Sequence, residues 1–150
     1  MTTTHQKAYK LNKLANEYAT QMRYSQAIVH YKQALSLYVS LAKEDPIDYC
    51  LAIAHIFSNL SIIYLSLEQP RKSNEFHQNA LRMHRVLCKT NPKKYALELA
   101  NCLIDGVRYL KEHPFTLYEA EMVLNHVDDT RRIDELVRVI RKLHAPVVES

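Results

Sequence analysis

Two segments of the chain match each other at a constant spacing of 46 residues, and this internal repeat constrains the fold more than any other feature of the sequence. KEDPIDYCLAIA, which begins at Lys43, aligns with KTNPKKYALELA, which begins at Lys89. The same spacing carries Tyr18 onto Tyr64. A fixed period of this length is typical of proteins built from stacked helical units.

Each unit is predicted to contain two amphipathic helices. In the second unit, apolar residues at helical spacing predict a first helix from about Asp48 to Leu67. Pro70 breaks this pattern, since proline lacks an amide hydrogen and restrains its predecessor. A second helix is predicted from about Lys72 to Lys89. In the first unit, Met22-Arg23-Tyr24 is the corresponding turn.

Composition agrees with an all-α fold, because the 150 residues include a single glycine, Gly106. That count also excludes glycine-rich phosphate-binding loops and nucleophile elbows. Cys50, Cys88 and Cys102 lie in apolar helical patterns without CxxC spacing, which is typical of reduced, packed thiols in a cytoplasmic protein. No leader segment and no run of about 18 apolar residues is visible, so we expect neither secretion nor a membrane partner.

The pattern of large and small residues resembles the tetratricopeptide repeat family. The signature positions of that family are occupied by Leu11, Leu14, Ala15, Tyr18, Ala27, Tyr31 and Ala34 in the first unit, and by Leu60, Ser61, Tyr64, Ser73 and Ala80 in the second. His77 stands where an aromatic residue is usual, with Phe76 beside it. The spacing exceeds the usual ~34 residues, so the chain is similar to the long-helix variety found in kinesin light chains and bacterial repeat proteins.

This resemblance implies a right-handed α-solenoid of about three helix-turn-helix units and a C-terminal capping helix, forming one domain over residues 1–150. The implied boundaries are repeat 1 at about 3–45, repeat 2 at about 46–91, a divergent repeat 3 at about 92–128 and a capping helix at about 129–145. It also implies a non-catalytic module that binds a peptide segment or helix of a partner protein in a concave groove, as a scaffold, adaptor or co-chaperone. No cofactor is implied.

The resemblance further implies which side chains line the groove. They are Tyr9, Asn12, Asn16, His55, Asn59, Asn101, Asp105 and Arg108. The four asparagines are candidates for pairing with a peptide backbone, because an amide both donates and accepts, and the other side chains would provide selectivity. A well-known subset of the family clamps a C-terminal carboxylate. Two of its asparagines match Asn16 and Asn59, but its cationic positions fall on Asn12, Asn101 and Asp105, which disfavours an acidic tail as ligand.

Two other functions remain open at this stage. Helix pairs could stack between chains to form a homo-oligomer or a structural subunit. RNA could bind a basic outer face at Arg82, Arg85, Lys89, Lys93 and Lys94, although this face lacks interleaved aromatics and nucleic acid is the less favoured partner. No metal site is expected, because the eight histidines show no ligand spacing.

Overall fold

The computed structural model of the protein describes residues 2–145, and all regular secondary structure in this part is helical. Its seven helices are α1 (Thr3–Thr20), α2 (Tyr24–Ala42), α3 (Pro46–Ser66), α4 (Pro70–Thr90), α5 (Pro92–Tyr109), α6 (Thr116–Leu124) and α7 (Thr130–His144). The all-α prediction is therefore confirmed for the residues that the structure describes.

Three helices begin at a proline. Pro46, Pro70 and Pro92 are the first residues of α3, α4 and α5. Proline is favourable there because first-turn amides have no intrahelical acceptor and its fixed φ is helical. The predicted starts at Asp48 and Lys72 were therefore two residues too late. The last helix, predicted at about 129–145, corresponds to α7 (Thr130–His144) to within one residue at each end.

The repeat is also visible in the backbone, at the turns that follow α1, α3 and α5. The second residue beyond each helix has a positive φ: 59° at Met22, 58° at Glu68 and 58° at Lys111. This left-handed conformation is the usual way to end a helix, although the position is most often glycine. Met22 and Glu68 are separated by the repeat spacing, so the periodicity of the sequence corresponds to a recurring turn.

The hydrogen bonds of the first two turns are the same. The Arg23 amide donates to the Tyr18 carbonyl at 2.9 Å, and the Gln69 amide donates to the Tyr64 carbonyl at 2.9 Å. In the third turn the equivalent amide is that of Glu112, which donates to the Gly106 carbonyl at 3.1 Å. This bond spans six residues, whereas those of the first two turns span five. The third turn is thus a wider variant, in keeping with the predicted divergence of the third unit.

The chain divides into two compact units, Met1–Met83 and His84–Ser150, and the division falls within α4. In unit 1, α1 packs against α2, and α2 against α3. The core of unit 1 consists of Ala8, Ala15, Ala27, Tyr31, Ala34, Tyr38, Ile53, Ile56, Leu60, Ile63 and Tyr64. Its alanines allow helix backbones to approach, while the tyrosines fill the remaining space. The predicted single domain stays a prediction.

Within unit 1, α3 meets the first part of α4 at two buried serines. The Ser61 hydroxyl donates to the Ser73 carbonyl at 2.8 Å, and the Ser73 hydroxyl donates to the Ser61 carbonyl at 2.7 Å. Both polar side chains are satisfied inside an apolar core. Close by in sequence, the Phe76 ring stacks on Tyr64 with centroids 5.4 Å apart, while His77 is buried. Phe76 therefore supplies the aromatic packing expected near position 77.

In unit 2, α5 packs against α6 and α7. Buried apolar side chains of α5 and α6 include Leu99, Leu103, Ile104, Leu117 and Leu124, and Ile140 is the buried residue of α7. These helices lie within the bounds predicted for the third repeat and the cap. Their assignment as a repeat and a cap stays a prediction.

Candidate functional site

The predicted groove residues are divided between the two units. Tyr9, Asn12 and Asn16 lie on α1 and His55 and Asn59 lie on α3, all within unit 1. The remaining three, Asn101, Asp105 and Arg108, lie on α5 in unit 2. We call the first five residues the α1–α3 face.

Two side-chain contacts show how α1 and α3, which both belong to unit 1 with α2, lie beside each other. The His5 and Tyr49 rings meet edge to face with centroids 5.3 Å apart, and the Asn59 amide nitrogen donates to the Asn16 carbonyl oxygen at 3.5 Å. His5 precedes Asn16 on α1, and their respective partners on α3, Tyr49 and Asn59, follow in the same order. The two helices therefore run in the same direction. The five residues of the α1–α3 face therefore lie on two neighbouring helices that run parallel to each other.

Helix α2 supports this face with the core residue Tyr31. The Tyr31 hydroxyl donates to the Asn16 carbonyl oxygen at 2.5 Å. Burial raises the pKa of the Tyr31 phenol, and a side-chain hydrogen bond with Asn59 lowers it by a smaller amount. Asn16 and Asn59 are thus tied to each other and to the core, which restricts their rotamers. These bonds leave the Asn16 amide nitrogen available as a donor.

The middle of the face carries a polar atom with an unmet hydrogen bond. The side-chain carbonyl oxygen of Asn12 is buried and accepts no hydrogen bond from any described residue. Leaving a buried acceptor unsatisfied costs about 1–3 kcal/mol. One turn away, Tyr9 is 55% exposed, and His55 on α3 is also exposed. The face therefore combines an unsatisfied buried acceptor with accessible aromatic and polar side chains.

At the N-terminal end of α1 and α3 the face continues into an open cleft of about 630 Å³. We call it the end cleft, and it is lined by Thr2, His5, Tyr38, Asp48, Tyr49 and Ala52. Burial raises the pKa of Tyr38, and the neighbouring phenols of Tyr49 and Tyr9 raise it further. The cleft was not predicted from the sequence, although Asp48 and Tyr49 belong to the repeated segment KEDPIDYCLAIA. Nothing in the sequence indicates which ends of the three helices come together.

In unit 2 the candidate residues form a separate exposed strip on α5. Asn101, Asp105 and Arg108 are all exposed. Desolvation raises the pKa of Asp105, and the positive charge of Arg108 lowers it by less. The Arg108 guanidinium lies over the Tyr109 ring, 5.6 Å from its centroid. These residues have no described hydrogen bond to a core side chain of the kind that holds Asn16.

The basic face proposed for RNA is partly neutralised. Arg85 donates two hydrogen bonds of 2.9 Å to the two carboxylate oxygens of Glu119, and this bonding raises its pKa. Lys93 lies 3.8 Å from a carboxylate oxygen of Asp128, with both side chains exposed. Charges already paired within the chain are less available to phosphate groups.

The structure offers little support for metal or thiol chemistry. Among residues 2–145, no group of three or more histidine, cysteine or acidic side chains could hold a metal ion. His77 and His84, which share a helix face in the sequence, are both buried. All three cysteines are free, and burial raises the pKa of the Cys50 and Cys88 thiols, so their reactive thiolate forms are disfavoured.

Helix α3 is the one described helix that is long and apolar enough to cross a membrane by length and composition. An 18-residue window within it has a mean hydropathy of 1.5, and 44% of that window is buried inside the protein. A core helix of a globular protein passes the same test. The burial of Ile56, Leu60 and Ile63 in the core of unit 1 accounts for this composition without a membrane.

Comparison with known proteins adds no family assignment. No protein-family model matches the chain, and no curated protein matches it significantly. The resemblance to tetratricopeptide repeats therefore rests on the sequence pattern alone.

Proposed function

We propose that the chain is a non-catalytic interaction module that binds a short extended segment of a partner protein on the α1–α3 face. The right-handed solenoid of the tetratricopeptide family belongs to this proposal. The observation that carries it is the pair of contacts, His5 with Tyr49 and Asn16 with Asn59, which places the polar side chains of two parallel helices next to each other. A scaffold, adaptor or co-chaperone would use such a face.

The dimensions of the face favour an extended peptide. The span from His5 to Asn16 is about 16 Å at ~1.5 Å per residue, which accommodates about five residues of extended chain at ~3.3 Å each. Backbone groups recur along such a peptide whatever its side chains are, and asparagine amides satisfy both kinds. Asn16 is suited to this role because its carbonyl oxygen is already engaged and its amide nitrogen is held in place.

Pre-ordering of these side chains supports binding over a merely wet surface. A side chain that is already fixed loses little conformational entropy when the ligand arrives. The bonds from Tyr31 and Asn59 fix Asn16 in this way.

The free thiols and the absence of disulfides among the three cysteines also support the proposed cytoplasmic location.

The test is a capture experiment with the parent protein and two matched variants. Asn16→Asp keeps an oxygen that can accept from Tyr31 and Asn59, so the fold is retained, but it replaces the outward amide donor with an acceptor. Asn74→Asp makes the same change at an exposed position on α4 and serves as the control. We expect a partner bound by the parent to be lost with Asn16→Asp and kept with Asn74→Asp.

Equal retention by all three proteins would refute binding at the α1–α3 face. Equal loss with both variants would mean that the added charge, and not the position, weakens binding, and would refute the proposal as well. Circular dichroism of each variant establishes beforehand that the helical content is unchanged.

A further inference from the structure

A second concave surface lies along α1, on the side turned away from the α1–α3 face. It is an open groove of about 320 Å³, which we call the α1 groove. Its lining consists of Thr3, Gln6, Lys7, Lys10, Leu11 and Leu14. At ~100° per residue, the middle of this stripe lies about 160° around the helix from Tyr9, Asn12 and Asn16. The α1 groove is therefore separate from the α1–α3 face.

The internal repeat shows what covers this side of the helix in the next unit. The 46-residue spacing carries Lys7, Lys10 and Leu14 onto three residues of α3. They are Ile53, Ile56 and Leu60. All three are buried in the core of unit 1, where α2 packs against α3. On α1, by contrast, Lys7 and Lys10 are exposed and Leu14 is half-buried. A helix therefore covers, on α3, the side that is open on α1.

The residues that differ between the two helices indicate the chemistry of an occupant. Where α3 has Ile53 and Ile56, α1 has two lysines, and the lining of the α1 groove contains no acidic residue. No ion pair among the described residues engages either lysine. Residues 3–42 carry five basic side chains against one acidic one, Glu17, and over residues 1–48 the balance is still six to four. Acidic side chains on a covering helix would therefore be attracted to this surface.

The apolar part of the α1 groove distinguishes it from a surface that is only solvated. A terminal unit that merely ends a stack of helices presents a polar outer side. Here Leu11 and Leu14 are half-buried and leave apolar surface in the lining. Together with Lys7 and Lys10 they stand at the spacing i, i+3, i+4 and i+7, which is one stripe of a helix. Such a stripe matches an amphipathic helix with apolar anchors and acidic flanks.

We propose that the α1 groove binds an amphipathic helix of another protein, whose apolar residues pack on Leu11 and Leu14 and whose acidic residues lie opposite Lys7 and Lys10. This surface is additional to the α1–α3 face and does not depend on the proposed function. A chain with both surfaces would join two partner segments, one on each side of α1, as an adaptor does.

The probe is a peptide of about 18 residues, long enough to form a helix, with leucines at i, i+3, i+4 and i+7 spacing and glutamates beside them. Matched peptides carry glutamine or lysine in place of the glutamates. Binding is followed in the full chain by the amide NMR shifts of Leu11 and Leu14. We expect saturable shifts there with the glutamate peptide and at least about threefold weaker binding of the glutamine peptide, as contacts with two exposed lysines imply.

A matched pair of variants locates the effect. Lys10→Glu reverses one charge of the α1 groove, and Lys32→Glu makes the same change at an exposed position of α2 outside the lining. We expect Lys10→Glu to weaken binding of the glutamate peptide about fivefold and to strengthen binding of the lysine peptide. Lys32→Glu is expected to change neither affinity by more than about twofold. The fold tolerates Lys10→Glu, because the change places opposite charges three residues from Lys7 and Lys13 on an exposed helix position.

Equal binding of the glutamate and glutamine peptides would overturn the inference, as would equal losses from Lys10→Glu and Lys32→Glu. Shifts confined to the α1–α3 face would refute a second surface. The glutamate peptide is expected to bind Asn16→Asp as tightly as the parent. Failure of the α1–α3 face in the capture test therefore leaves this inference standing, and failure of the peptide test leaves the proposed function standing.

Two other occupants are distinguished with the same variant. If the parent chain dimerises more tightly than it binds the glutamate peptide, and Lys10→Glu abolishes the dimer, the occupant is a second copy. If single-stranded oligouridine binds more tightly than the glutamate peptide and loses as much affinity with Lys10→Glu, the occupant is a nucleic acid. Either result would refute the assignment to a helix of another protein.

Discussion

At the scale of single residues, Asn12 is the clearest case of a side chain on the α1–α3 face that lowers the stability of the fold. Its buried carbonyl oxygen accepts no hydrogen bond from the described residues. Replacing it with leucine removes this unsatisfied group and improves helix propensity, so Asn12→Leu is expected to raise the free energy of unfolding by about 1 kcal/mol. Urea denaturation followed by circular dichroism measures the change.

The control for Asn12→Leu is Asn74→Leu, at an exposed position on α4. It carries the same gain in helix propensity without removing a buried polar atom. If both variants gain equally, the buried oxygen costs nothing and the prediction fails. If Asn12→Leu gains more than Asn74→Leu, the native asparagine is retained at a cost to stability, which is common at binding surfaces.

At the scale of secondary-structure elements, the recurring turns are the most testable feature. Glu68 has a φ of 58°, where a residue with a Cβ atom is less stable than glycine. Allowing for the greater entropy of glycine in the unfolded chain, Glu68→Gly is expected to stabilise the protein by about 0.5–1 kcal/mol. Thermal and urea unfolding measure this.

Gln69 is the matched control, because it follows Glu68 directly and is absent from the residues with positive φ. Gln69→Gly should stabilise nothing and is expected to lower stability slightly through the entropy of the unfolded chain. A Glu68→Gly variant no more stable than Gln69→Gly would show that the left-handed turn carries no strain at this position.

Helix number and helix ends followed from the sequence more readily than the site did. Prolines mark the starts of α3, α4 and α5, and apolar spacing indicates their lengths, because both signals are local. The bond from Tyr31 to Asn16 was not predicted, although both residues were identified separately. Which side chains meet depends on the relative register of three helices, and a single sequence contains no direct measure of that register.

At the scale of the whole molecule, the remaining question is whether the chain acts alone or through copies of itself. Unit 2 carries an exposed apolar stripe on and beside α6, in which Phe115 is 70% exposed, Tyr118 54% and Met122 69%. The Tyr118 ring lies 5.5 Å from that of Phe115 and 5.3 Å from that of His144 on α7. Exposed apolar side chains on end helices are what a structural subunit would use for assembly.

The stripe is too small to hold a stable dimer. An aromatic side chain buries 150–250 Å² at most, so three partly exposed side chains offer about 300–400 Å², well below the ~800 Å² per partner of a specific interface. We therefore expect sedimentation equilibrium to show a monomer at micromolar concentration, with association only at much higher concentration. A stable dimer that Met122→Lys dissociates, while the exposed control Val29→Lys on α2 does not, would contradict this and make assembly the primary function. A monomer would agree with the proposal that the protein binds its partner on the α1–α3 face and does not act by self-assembly.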